Sequence, residues 1–159
     1  MPSYRAPVED TLFLLNDVFG FHRYDNLKGF SDASPDVVEA VLNEGAKLAE
    51  EVLAPLNAVG DKEGCKRNPD GSVPTPPGFK AAGHAHAPGG GMGLSMPEEY
   101  GGQALPHTLN CAIQEFASAA NLALGMYPGL TQGAMAALLV HGSEEQKKAY
   151  LPKMAEGIW

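Results

Sequence analysis

Leu109, Ala112, Ile113, Phe116, Ala117 and Ala120 return every three or four residues, and no stretch of useful length alternates apolar with polar at period two. That spacing stacks side chains on one face of a helix and cannot line one face of a strand. It marks a helix from about Pro106 to Asn121 and, with no competing strand pattern, predicts an all-α fold, a helical bundle. Val37, Val38, Val41, Leu42, Leu48, Ala49, Val52 and Leu53 form a second broad apolar face. Ser34 before Pro35 is a suitable start for it: the hydroxyl accepts an orphan amide, and proline lacks the N–H that would go unpaired at the first position. Val8, Leu12, Leu15 and Phe19 predict a short amphipathic helix over 7–19.

A further helix is expected from near Pro128 to His141, stopped by Gly142. Ser143 and Gln146 stand in the capping-box relation, with Glu144 and Glu145 in the first turn where the helix dipole favours negative charge. Between these elements, Gly60 to Gly78 shifts to Gly, Pro, Asp and Lys and reads as a surface loop. Residues 79–87 have helical potential weakened by Gly83 and by the following Pro88-Gly89-Gly90-Gly91, with no clear apolar stripe.

Composition narrows the function classes. With 19 acidic against 11 basic residues and a formal charge of -8, a broad polyanion-binding face is excluded, and nucleic acid with it. Cys65 and Cys111 have neither zinc-site nor disulfide-framework spacing, which fits a reducing, cytoplasmic setting. Glu9 and Asp10 ahead of the brief run Leu12 to Leu15 argue against a signal peptide. Phe116 to Ser143 carries no charged residue and has the length of a membrane span, but a buried helix pair broken at Pro128 accounts for it more simply, so no span is expected.

Gly125, Gly129, Gly133 and Ala137 are four apart and fall along one face wherever this stretch is helical. Two uses compete for such a shallow row: close approach of another helix, or room for a slender apolar ligand such as an acyl chain. Other candidates read more simply. His84 and His86, even with His107 or His141, lack metal-ligand spacing and read as solvent-exposed. Gly89-Gly90-Gly91-Met92-Gly93 matches no phosphate-binding signature and reads as a turn. Glu115 lies about 200° from Ile113 at roughly 100° per residue, away from the core face, and Cys111 reads as a small hydrophobe. No catalytic constellation emerges.

Several motifs in order carry a resemblance. Tyr4-Arg5-Ala6-Pro7, Glu51-Val52-Leu53-Ala54-Pro55-Leu56-Asn57, Gly60-Asp61-Lys62-Glu63-Gly64-Cys65 and Thr75-Pro76-Pro77-Gly78-Phe79 are similar to acyl-CoA dehydrogenases of the branch with an extra N-terminal helical segment. Met92-Gly93-Leu94, Pro97 to Leu105, and Gly142 to Gly157 with Tyr150-Leu151-Pro152 resemble parts shared across the wider family. The resemblance implies a helical extension over 1–32 and the family's N-terminal helical domain over 33–159. It also implies FAD as cofactor, an acyl-CoA thioester as substrate, and a homo-oligomer as the full-length state. In such enzymes a glutamate removes the α-proton while the flavin takes a hydride from the β-carbon, giving a trans-2-enoyl-CoA.

Neither glutamate nor flavin site falls within this chain by that resemblance, so the catalytic and cofactor contacts are expected outside it and the chain alone is expected to be inactive. A CoA moiety would find most of its cationic partners elsewhere too. The helix matching 125–133 lines the distal acyl pocket in the family, which nominates Gly125, Gly129 and Gly133 as substrate-binding. Two departures stand out: Gly83 to Gly91 replaces an aromatic-containing helix, and Ala104 occupies a usual glycine position. The competing reading is a free-standing helical interaction module without catalysis.

Overall fold

The computed structural model describes residues 3–86 and 91–159, and every described element is helical. Helix α1, Val8–Phe13, runs on into a wider π-type stretch over Leu14–Val18 and ends at Gly20, whose φ of 58° suits a residue without a side chain. The extra residue per turn rotates the pattern. Leu15 is buried, but Phe19, expected on the packed face, is exposed. Arg5 pairs with Glu50 at 2.8 Å, and Glu50 also accepts the Ala6 amide at 2.9 Å, which ties the first residues to the next helix.

That helix is long. α2 (Pro35–Lys47) passes through a second π-type stretch, Leu48–Leu53, into α3 (Ala54–Glu63). Ser34 caps it as expected, its hydroxyl accepting the Val37 amide. Pro55, at the start of α3, has no N–H for a carbonyl one turn back, and the widened turn lies immediately before it. Residues 60–63, expected in a loop, are helical. Gly60 is needed bare there: a Cβ on it would lie 2.6 Å from the Phe79 ring. The long segment then reaches α4, Phe79–His86, which is firmer than its sequence suggested because Phe79 and Ala82 are buried. Residues 87–90, which include Pro88, Gly89 and Gly90, lie outside the described residues.

The connection from Gly91 to Pro106 is knitted by its own backbone: Met96 accepts from Ala104 at 2.8 Å, Gly93 from Gln103 at 3.0 Å and Leu94 from Leu105 at 3.0 Å. Ala104 sits at φ 52°, a left-handed conformation that a Cβ makes costly. α5 (His107–Ala120) then runs between α2 and α6 (Leu122–His141), and α7 (Glu144–Ala155) closes the chain.

Leu42, Leu109 and Phe116 are almost wholly buried where α2 and α5 meet, each worth about 1.5–3 kcal/mol of burial. A second cluster gathers Met92, Met96, Tyr100, Met135, Leu151 and Ala155 between the connection, α6 and α7. The expected capping box is present: Gln146 Oε1 accepts the Ser143 amide at 2.9 Å while Ser143 Oγ accepts the Gln146 amide at 3.3 Å.

Candidate functional site

α6 departs from expectation in two ways that matter for the site. It starts at Leu122 rather than near Pro128, so Pro128 sits inside it. And most of it is exposed: Leu122, Met126, Tyr127, Leu130 and Val140 all stand more than half in solvent. By length and composition α6 qualifies as a membrane span. No buried helix pair exists there.

Asn121 sets the early start. Only 1% exposed, it takes an extended backbone conformation between the two helices, and its Oδ1 accepts the Leu124 amide at 3.2 Å as the cap of α6. Its Nδ2 donates to the Leu53 carbonyl at 3.1 Å, where the π-type stretch hands over to α3. One side chain thus satisfies a helix start and a buried carbonyl 68 positions away. The turn it permits folds α6 back against α5.

The glycine row divides. At Gly125 a Cβ would lie 3.1 Å from Ser118 Oγ and 3.2 Å from the Ser118 backbone, so here the absent side chain allows α5 and α6 to touch. Gln114 reinforces the contact by donating from Nε2 to the Gly125 carbonyl. At Gly129 and Gly133 a Cβ would meet nothing within 4 Å, and both positions are exposed. Close approach explains the first glycine and not the other two.

One turn further on, Gln132 Nε2 donates to Asn110 Oδ1 at 3.1 Å and to the Gly91 carbonyl at 3.1 Å, while Asn110 Nδ2 returns a bond to Gln132 Oε1 at 3.3 Å. The start of the connection is thereby fastened to both helices. Next to this frame lies a cleft of about 470 Å³ between α4 and α6. Leu53, Phe79, Met92, Leu124 and Gly125 give it an apolar lining, and Lys80 and His84 stand beside them. Of the three nominated glycines only Gly125 reaches it. The sole tryptophan, Trp159, also lines it and carries the Lys153 ammonium 4.7 Å above its ring. A second cleft, of about 380 Å³, lies against α2 between Val41, Leu48 and Ile113.

Of the other sequence candidates, Glu115, Cys65 and Cys111 line neither cleft, whereas His84 lines the first. Glu115 is exposed, as read. With burial first and Glu115 and Glu50 following, it helps push the Tyr4 phenol above its ordinary value; the Tyr4 hydroxyl is buried without a partner. Cys111, read as a small packed hydrophobe, is exposed, as is Cys65. Among the described residues no three of His, Cys, Asp and Glu come together; the side chain of His86 lies outside them. Sequence reasoning missed Phe79, Met92 and Trp159 as neighbours. Their pairing with α6 depends on where Asn121 turns the chain, which no local pattern encodes.

The family profile described as acyl-CoA dehydrogenase, N-terminal domain, matches residues 38–158. The chain is 36% identical over 157 residues to a 3-methylmercaptopropionyl-CoA dehydrogenase of Ruegeria pomeroyi, covering 99% of this chain and 26% of that one. It is 33% identical over 150 residues to a broad-specificity linear acyl-CoA dehydrogenase of Mycobacterium tuberculosis, covering 93% and 24%. A butyryl-CoA dehydrogenase of Syntrophomonas wolfei shares 29% over 160 residues, covering 99% and 26%. The chain therefore spans about a quarter of the length of these relatives.

Proposed function

The chain belongs to the acyl-CoA dehydrogenase family, and from that membership we propose that residues 33–159 form the helical wall of an oxidoreductase that dehydrogenates an acyl-CoA thioester between its α- and β-carbons, with residues 1–32 as a packed extension. The match over residues 38–158 carries the reading. Within it, α6 is the substrate-facing helix, and of the nominated Gly125, Gly129 and Gly133 the latter two leave depth for the acyl tail, Gly125 being taken up by the contact with Ser118. The open space at Gly129 and Gly133 supports this assignment. The substrate is a fatty acyl-CoA or 3-methylmercaptopropionyl-CoA.

FAD is the acceptor in this proposal, held chiefly by segments other than 1–159. Three of the helix starts in this chain do not suit a flavin pyrophosphate. The starts of α2, α6 and α7 are filled by their own Ser34, Asn121 and Ser143, and α7 adds Glu144 and Glu145 in its first turn. What these residues contribute is shape and the exclusion of water from an apolar chain. The exposed apolar side chains of α6 support burial against further domains or another copy in the full-length oligomer. Two exposed free cysteines are consistent with a cytoplasmic setting.

A domain exchange tests the proposal. Residues 1–159 replace the corresponding segment of the Ruegeria pomeroyi relative, and acyl-CoA oxidation is followed with a dye acceptor. The expected result is turnover, with Gly129→Leu shifting preference toward shorter acyl chains. A folded, flavin-loaded chimera that oxidises no acyl-CoA refutes the proposal.

A further inference from the structure

We propose that Asp70 is a site of spontaneous backbone modification, its link to Gly71 passing through a cyclic imide to isoaspartate, and that the Ser72 side chain governs the rate. The site lies on the connection between α3 and α4, lines neither cleft, and is independent of the dehydrogenase reading.

The chemistry singles out this residue. The imide forms when the backbone nitrogen of the next residue attacks the side-chain carboxyl. A bond from that nitrogen to Cγ forms, the bond from Cγ to its hydroxyl breaks, and the amide proton leaves with the hydroxyl as water. Water then opens the ring at the former main-chain carbonyl, which leaves one extra methylene in the backbone and moves the free carboxylate. No co-reactant other than water takes part. A side chain on the following residue crowds the ring, and no other Asp or Asn in the chain precedes glycine. Asp70, Gly71 and Ser72 are all exposed, so water has access.

The fold holds both reacting groups back. Asn68 to Gly71 make a tight turn with Pro69 at its second position, and the Gly71 amide donates to the Asn68 carbonyl at 2.9 Å. The proton that must leave is therefore engaged. The Ser72 amide donates to Asp70 Oδ1 at 2.9 Å, and the Ser72 hydroxyl donates to the same oxygen at 2.7 Å. Asn68 Nδ2 donates to that hydroxyl at 3.0 Å and fixes its position. The carboxylate is thus turned onto Ser72. These bonds, the side-chain one foremost, also hold the Asp70 carboxyl below its ordinary value, and the imide forms from the neutral carboxyl, so the same contacts oppose the reaction a second time.

The test is incubation of the purified 159-residue chain in weakly acidic buffer, with isoaspartate located and quantified by fragmentation mass spectrometry. Slow accumulation at position 70 is expected, and faster accumulation there when the chain is unfolded in urea. Ser72→Ala should accelerate the folded reaction about fivefold, the effect of losing one exposed hydrogen bond to a charged acceptor, while circular dichroism stays at the parent's. Ser72→Thr, which keeps the hydroxyl, should react at the parent rate, and Asp70→Glu should give no signal at this position. No isoaspartate at position 70 in either the folded or the unfolded chain, equal rates in the two, a Ser72→Ala rate equal to the parent's, or a Ser72→Thr rate equal to that of Ser72→Ala overturns the proposal.

Discussion

Removing the side chain of Asn121 tests the hinge on which the site depends. Asn121→Ala deletes two bonds from a residue that is 1% exposed: the cap accepting the Leu124 amide and the donor to the Leu53 carbonyl. Loss of a helix cap costs about 1 kcal/mol. Stranding a buried carbonyl costs about 1–3 kcal/mol more, since water cannot replace the amide. The sum, about 2–4 kcal/mol, is a large part of an ordinary domain's stability, and at roughly 2–4 °C per kcal/mol it lowers Tm by about 5–15 °C. Urea unfolding followed by far-UV circular dichroism should show a lower midpoint with an unchanged slope. Asn121→Ser keeps a capping oxygen but not the reach of an amide donor, so it should fall between the two. If Asn121→Ala lies within about 0.5 kcal/mol of the parent, or serine recovers nothing, the double role assigned to this side chain is wrong.

Three more perturbations separate the structural from the functional residues. Ala104→Gly relieves a left-handed alanine worth roughly 1–2 kcal/mol and gives back about 0.4–1 kcal/mol in unfolded-chain entropy, so thermal unfolding should rise slightly, by about 2 °C. Gly129→Leu should leave the urea midpoint within about 0.5 kcal/mol, because its Cβ meets open space, whereas Gly125→Leu should cost more than about 2 kcal/mol by driving α6 off Ser118. The Ser143 hydroxyl, donating to Glu145 at 2.8 Å, holds that carboxyl below its ordinary 4.5. A depressed folded value means the contribution is present at neutral pH and is lost as pH falls through the region below 4.5, so helix content should decline there, and less so in Glu145→Gln.

Much of the fold was legible because its signals are local. The 106–121 periodicity, the Ser34-Pro35 start and the Ser143–Gln146 box each involve residues within a turn or two, where helix geometry alone fixes which side chains meet. Failures occurred where distant residues decide. Pro128 looked like a helix start, but Asn121, anchored to Leu53, begins α6 six residues earlier and the helix runs through the proline. α4 looked weak until Gly60 made room for Phe79.

The candidate site was only partly readable for the same reason. Three glycines at equal spacing resemble one feature, yet Gly125 meets Ser118 while Gly129 and Gly133 face open space. Which is which depends on the angle at which α6 crosses α5, and sequence spacing carries no information on that. The Lys80 and His84 side of the cleft comes from another helix entirely. Family membership, by contrast, was carried by short ordered motifs and needed no geometry.

The most direct test of the account is to incubate the purified 159-residue chain with FAD and an acyl-CoA, remove free flavin, and measure bound flavin and enoyl-CoA. A helical wall without the redox half should retain no stoichiometric flavin and form no enoyl-CoA, while its circular dichroism stays helical. Stoichiometric flavin retention, or oxidation of any acyl thioester by this chain alone, would contradict it.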